Sequence, residues 1–385
     1  MVTYNRDVMD TSENKMPSGR KDFFIMERIV KVGIIGCGGI ANGKHMPALK
    51  QLPNVQMVAF CDIIEERAIK AAKEFGTPDA KVYTDYKELL KDETIEVVHV
   101  LTPNREHADI SIDAMYADKH VMCEKPMAKS AADAQRMYDA AVATGKKLTI
   151  GYQHRKKPEA QYAKKYIEEG NLGEIYYANC YALRRRGTPN WGVFLNEEEQ
   201  GGGPIIDIAT HSLDLTLYLM NNYEPECVLG KTHKKIEHPE AGNIWGDNGV
   251  STTPLEEAAV AFIRMKNGAT IMLETSWALN VANPIGEGNC RLAGTKAGLE
   301  INGGLKINKV ELGRQVVTDV DLSAGGVAFY SGASATPPVV EAQDWIDSVI
   351  NDHDPIVLPH EALVVSKILE AIYESSKTGK PVYFE

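Results

Sequence analysis

In the first third of the chain, apolar residues cluster in short unbroken runs, and between those runs they recur at three- and four-residue spacing. The runs at 29–35, 55–60, 82–83, 95–101, 119–122 and 148–152 are β-rich and too short for buried helices. Between them the helical pattern covers about 41–51, 65–75 (stopped by Gly76), a short stretch to Leu90, a segment from His107 to about Ala117, and 131–144 (stopped by Gly145). Strands alternating with helices predict a parallel, doubly wound sheet. Beyond residue 155 the rhythm changes. One amphipathic helix, 156–169, is followed by long β-like segments at 175–183, 227–234, 258–265, 269–277, 289–293 and 306–310. Turns such as Lys266-Asn267-Gly268 join some of them as hairpins, so a large, mainly antiparallel sheet is expected. Two helical patterns, 339–351 and 360–377, close the chain. They can cover only part of so broad a sheet, which points to a homodimer or homotetramer. The fold class is therefore α/β, with a polar, flexible extension at 1–28, a nucleotide-binding domain at 29–153 and a substrate-binding and oligomerisation domain at 154–385.

Charge narrows the partners. A formal net charge of −11 gives no basic field for nucleic acid or an anionic membrane. No apolar run approaches the roughly 20 residues of a membrane span. The six cysteines are scattered without a C-x-x-C pair, so they read as reduced thiols of a cytoplasmic protein, with no metal site among them.

Three motifs carry chemistry. The first strand runs directly into Gly36-Cys37-Gly38-Gly39-Ile40-Ala41, a G-x-G-x-x-A turn. Gly36 permits the tight turn, Gly38 lets backbone approach a diphosphate, and Gly39 and Ile40 lead into a helix whose N-terminal amides face that diphosphate. The second strand ends at Asp62, about where an acid binds the adenosine ribose hydroxyls and repels a 2′-phosphate. NAD is expected in preference to NADP. The strand at 95–101 ends at Thr102-Pro103-Asn104, with His107 one turn on, and these are expected beside the nicotinamide. The second motif, Cys123-Glu124-Lys125-Pro126, puts a charged amine at the carboxyl edge of the sheet, where open α/β sheets bind ligands. His154 and Arg155 end another strand on that edge and are expected substrate contacts.

The third motif is an apolar helix at 205–219, opened by Gly201-Gly202-Gly203-Pro204. Asp207, His211, Asp214 and Tyr218 recur along it at spacings that stack them on one stripe. Burying such groups is costly unless they find partners. A structural network, with Asp207 accepting from His211, competes here with a catalytic role. Between the first long strand and this helix lies Arg184-Arg185-Arg186-Gly187-Thr188-Pro189-Asn190-Trp191-Gly192, whose Arg185 and Trp191 are candidates for binding a sugar.

Together the dinucleotide turn, Glu-Lys-Pro at a strand end and D-x-x-x-H on a buried helix resemble the Gfo/Idh/MocA oxidoreductases, over nearly the whole chain from Ile29. The resemblance extends to 151–155 and to Gly294-Thr295-Lys296-Ala297-Gly298-Leu299. It implies a Rossmann domain followed by an α/β domain with an open sheet, with Lys125, Asp207 and His211 as the catalytic set. Glu124 and Lys125 would border the cofactor. The implied activity is NAD-dependent oxidation of a secondary ring hydroxyl of a sugar, cyclitol or glycoside, such as the C3 hydroxyl. A glycoside-cleaving enzyme that recycles NAD, or a non-catalytic sugar or NAD sensor, are the alternatives. The three intact catalytic positions argue against the sensor.

Overall fold

The computed structural model describes residues 28–322 and 336–385. All but the last residue of the expected extension at 1–28 lies outside them. Six strands form the first sheet: β1 Val30–Ile35, β2 Val55–Cys61, β3 Lys81–Tyr83, β4 Val97–Val100, β5 His120–Cys123 and β6 Leu148–Ile150. All pairs are parallel, in the order β3-β2-β1-β4-β5-β6. The chain reverses direction across the sheet between β1 and β4, and the carboxyl ends of those strands form the crevice where ligands sit in such folds. β1, β4 and β5 are buried along nearly their whole length, which is why they read as unbroken apolar runs and not as alternating ones.

The second sheet has nine strands: β7 Ile175–Leu183, β8 Pro225–His233, β9 Ala258–Met265, β10 Thr270–Ser276, β11 Ile285–Gly294, β12 Ala297–Ile301, β13 Leu305–Glu311, β14 Arg314–Asp319 and β15 Val382–Tyr383. It is antiparallel throughout, except that β10 pairs parallel with β7. β9 shows the expected alternation of buried and exposed positions, with Val260 and Phe262 exposed. Helices Thr210–Met220 and Pro359–Thr378 pack on its covered side.

Helix Pro337–Ile350 departs from the sequence-based division at 153/154. Its Val339, Ala342, Trp345, Ile346 and Val349 share a core with Val30, Val32 and Ile34 of β1. This helix thus packs in the helical layer beside β1. No helix among the described residues is long and apolar enough to cross a membrane.

Candidate active site

The glycine turn is built as its residue types require. Gly36 has φ +92°, and a Cβ there would lie 2.7 Å from the Leu101 carbonyl carbon, so only glycine fits between β1 and β4. Gly38 and Gly39 have open space where a Cβ would stand. Asn42 Nδ2 donates to the Cys37 and Gly38 carbonyls (2.8 and 2.7 Å), fixing the loop while leaving other amides free. Asp62 is buried, and accepts from Cys37 N–H at 2.8 Å and Ile64 N–H at 2.9 Å. Those bonds orient its carboxylate beside the turn and leave further lone pairs for ribose hydroxyls. An open cradle, a presented acid and a solvent-exposed Ile40 at the helix start fit a dinucleotide.

Behind the turn lies an ionic cluster that sequence reasoning missed apart from Glu124. The Glu124 carboxylate accepts from Lys44 (2.9 Å) and His45 (2.8 Å), and its second oxygen takes the Lys125 amide at 3.0 Å. Lys44 also meets Glu341 of helix Pro337–Ile350 at 3.0 Å, and His45 meets His99 at 3.2 Å. Burial opposes the Glu124 charge, but Lys44 and His45 hold its carboxyl well below the ordinary range. The close approach of Glu124 also explains Gly151, where a Cβ would come within 3.0 Å of its carboxylate. Glu124, expected to border the cofactor, has its carboxylate bonded within this cluster. His107 departs likewise. It is fully buried, and its ring nitrogens meet the Pro126 and Thr102 carbonyls at 2.8 and 3.0 Å, bracing the two loops that border the cleft. Asn104 donates to the Gln200 carbonyl at 3.0 Å, tying the β4 loop to the triple-glycine segment. Lys44 and Glu341 lie far apart in sequence and no local pattern marks them as partners.

Lys125, on a cis Lys125–Pro126 peptide, is the centre of the site. Its ammonium donates to Asp207 Oδ1 (3.0 Å) and to the Asp207 carbonyl (2.9 Å). Burial works against the charge, yet the Asp207 and Glu124 carboxylates outweigh it and raise the Lys125 pKa, so the amine is protonated at neutral pH. Asp207 Oδ2 accepts from the buried indole of Trp277 at 2.9 Å, with Arg184 at 3.8 Å. The expected Asp207–His211 hydrogen bond is absent. The helix is wound as a π-helix over Ile205–Ala209 and becomes α only at Thr210–Met220. The wider turn rotates Asp207 off the stripe that a spacing of four would give it, and toward Lys125.

His211 is buried, and its Nδ1 has no hydrogen-bond partner. Its ring stands edge-on to His154 at 4.9 Å, and both ring nitrogens of His154 lack partners as well. Burial, reinforced by Lys125 and His154, holds the His211 pKa well below 6.5. Burial with nearby lysines pushes His154 down to about 3. Both are neutral imidazoles at physiological pH. His154, His211 and Glu287 bring one nitrogen or oxygen each within 4.8 Å of one another.

Arg155 departs from its expected place. Arg155 is fully buried and its guanidinium is bonded to Asp214 (3.0 and 2.6 Å), to the Ile356 carbonyl (2.9 Å) and to Glu361. It holds the scaffold together and does not face a substrate. Of the three arginines, it is Arg184 that reaches the site, 3.2 Å from Glu287, whereas Arg185 is exposed. Successive residues at the end of a strand point to opposite sides, so a choice between neighbours turns on a one-residue register. Trp191 is exposed, edge-on to Trp245 at 4.8 Å.

Comparison with known proteins agrees with this geometry. Residues 30–152 match the oxidoreductase-family model for an NAD-binding Rossmann fold, and residues 164–384 match that family's C-terminal alpha/beta domain. The chain belongs to the Gfo/Idh/MocA oxidoreductase family. Within the family it is 30% identical to D-glucoside 3-dehydrogenase of Escherichia coli over 92% of this chain and 97% of that protein. An inositol 2-dehydrogenase of Salmonella typhimurium is 36% identical over 50% of this chain and 55% of its own length. Among solved structures, levoglucosan dehydrogenase in complex with NADH and levoglucosan superposes with a TM-score of 0.79 at 24% identity, covering 92% of this chain and 99% of that one. That likeness establishes the shared fold.

Proposed function

We propose that this oxidoreductase is an NAD-dependent dehydrogenase that oxidises a secondary ring hydroxyl of a sugar, cyclitol or glycoside. The observation that carries the reading is a protonated Lys125 beside two neutral, unpartnered imidazoles at the carboxyl edge of a dinucleotide-binding sheet. Bound at the Gly36–Gly38 turn and Asp62, the nicotinamide cofactor would accept the hydride from the carbinol carbon. His211 takes the hydroxyl proton as general base, a role open to it because it is neutral. Lys125 donates to the same oxygen and stabilises the developing alkoxide. Asp207, anchored by Trp277, aims the ammonium. His154 donates to or accepts from a neighbouring hydroxyl.

Asp62 favours NAD over NADP, since a second negative charge beside its buried carboxylate would be repelled. The relatives named D-glucoside 3-dehydrogenase and inositol 2-dehydrogenase support a polyhydroxylated ring as substrate, with position 3 of a glucoside as the preferred site and a keto-sugar as product. Six free, buried cysteines support a reducing, cytoplasmic setting. The exposed apolar residues Leu229, Val260 and Phe262 on the second sheet support pairing with another copy, as a homodimer or homotetramer.

The test is the absorbance of reduced nicotinamide on mixing protein and NAD with inositols, free sugars and glucosides, beside a Lys125→Ala sample. A rise with one substrate class that the variant lacks is the expected result. Aglycone released without net reduced cofactor would move the reading to an NAD-recycling, glycoside-cleaving enzyme.

A further inference from the structure

The chemistry above leaves unused a pair of cross-braced segments beside Arg184, around 186–192 and 243–248. Asn243 Nδ2 donates to the Thr188 and Gly246 carbonyls at 3.1 and 2.8 Å, and its Oδ1 accepts from Thr188 N–H at 2.9 Å. Asn190 Nδ2 donates to the Trp245 and Gly246 carbonyls at 2.7 and 2.9 Å, and Asn248 donates back to the Asn190 carbonyl. Thr188, Asn190 and Asn243 are all buried. Buried, satisfied amides of this density fix one conformation.

This lock keeps two indoles in solvent. Trp191 is 48% exposed and Trp245 41%, their rings perpendicular with centroids 4.8 Å apart. A flexible loop would fold such large apolar rings away; here the frame forbids it. The pair also stands next to the reacting groups. The Arg184 guanidinium lies 5.6 Å from the Trp245 ring centroid, 3.2 Å from Glu287 and 3.8 Å from Asp207, whose other oxygen holds Lys125. A single arginine thus separates the indole corner from the carboxylate that holds Lys125.

We propose that Trp191 and Trp245 form a subsite for an aglycone ring, joined by a glycosidic bond to the ring being oxidised. The inference rests on the dehydrogenase reading and sharpens it: the substrate is a glycoside, not a free monosaccharide or cyclitol. An indole face attracts the partly positive C–H face of a sugar and stacks on an aromatic ring, and a second indole at right angles closes one side. Arg184 over Trp245 fixes the orientation of that wall.

The experiment compares kcat/KM for methyl, phenyl and glucosyl glucosides of both anomeric configurations in wild type, W245A, W245F and W191A. Wild type should favour the ringed substrates at least ten-fold, mainly through KM. W245A should lower kcat/KM for a ringed substrate about ten-fold more than for the methyl glucoside, W191A somewhat less, and W245F should recover most of the difference. The phenyl and glucosyl arms separate an aromatic aglycone from a second sugar. Equal losses on methyl and ringed substrates, or no preference in wild type, overturn the subsite. Quenching of indole fluorescence by phenyl glucoside in the presence of NAD reads binding without turnover. Quenching lost in W245A but no oxidation in wild type would remove the dehydrogenase reading and keep the subsite; oxidation without any quenching would do the reverse.

Discussion

Asp214 and Tyr218 form the far half of a polar stripe and His211, facing His154, forms the near half, and the two halves have opposite hydrogen-bond states. At the far half, Asp214 and Arg155 are both fully buried and paired bidentately, Glu361 and the Ile356 carbonyl satisfy the rest of the guanidinium, and Tyr218 lies 4.7 Å from it. Burial alone would lower the Arg155 pKa; Asp214 more than offsets it and the charge stays. At the near half, His211 and His154 are just as buried and have ring nitrogens without partners. A buried polar group left unpaired costs about 1–3 kcal/mol. A fold that satisfies one half of a stripe and leaves the other bare reserves the bare half for a ligand.

The sharpest way to break this contrast is to truncate each half. His211→Ala should lower turnover about 10²–10⁴-fold, the usual contribution of a general base, while NAD binding and the melting temperature stay near wild type. Steady-state kinetics with calorimetric NAD binding reads both. Unchanged turnover would remove His211 from the mechanism.

Arg155→Met should do the opposite. It leaves the Asp214 carboxyl, which burial already pushes up to about 6, without its partner in the core, and removing one partner of a buried pair costs about 3–5 kcal/mol. Urea unfolding measures it. A stable protein with lost activity would place Arg155 with the reacting groups after all.

Acid should separate the halves more gently. His154 and His211 are depressed below 6.5, chiefly by burial, so below that pH the unfolded chain binds protons that the native state refuses. Stability from these groups is complete above about 6.5 and falls as pH drops toward their native values. His154→Gln should flatten the fall in denaturation midpoint between pH 7 and pH 5. The acid limb of kcat/KM for oxidation should also lie below 6.5, and in Lys125→Met the His211 ring, followed by NMR, should titrate at a higher pH than in wild type, because Lys125 is the charge that helps burial keep His211 neutral.

The fold was largely legible before any coordinates: buried parallel strands produce unbroken apolar runs, and strands 175–183 and 258–265 coincide with β7 and β9. β12 and β14 escaped, the first a short Ala-Gly-Leu-Glu-Ile run, the second polar and mostly exposed. Of the site, the glycine turn, Asp62, Lys125 and His211 follow from local chemistry and stand in the structure with the neighbours described above, their roles as proposed. What failed depended on long-range pairing or on helix winding. Nothing in the sequence couples Arg155 to Asp214, or Lys44 to Glu341, and a period of 3.6 does not foresee the π-turn that swings Asp207 from His211 to Lys125.

The smallest expected effect concerns a cation. His154, His211 and Glu287 converge within 4.8 Å, and neutral imidazoles with a carboxylate are a competent donor set. The surroundings oppose it: Lys125 bears a positive charge beside His211, and Arg184 already occupies Glu287 at 3.2 Å. A divalent ion would also take the lone pair with which His211 removes the substrate proton. Lys125 already supplies the positive charge a metal would bring. Prolonged chelation should therefore leave turnover within about two-fold, and added zinc should inhibit in competition with substrate. Activity lost on chelation and restored by zinc would turn the two histidines from base and hydrogen-bond partner into ligands, and would explain their bare nitrogens by a metal instead of a sugar.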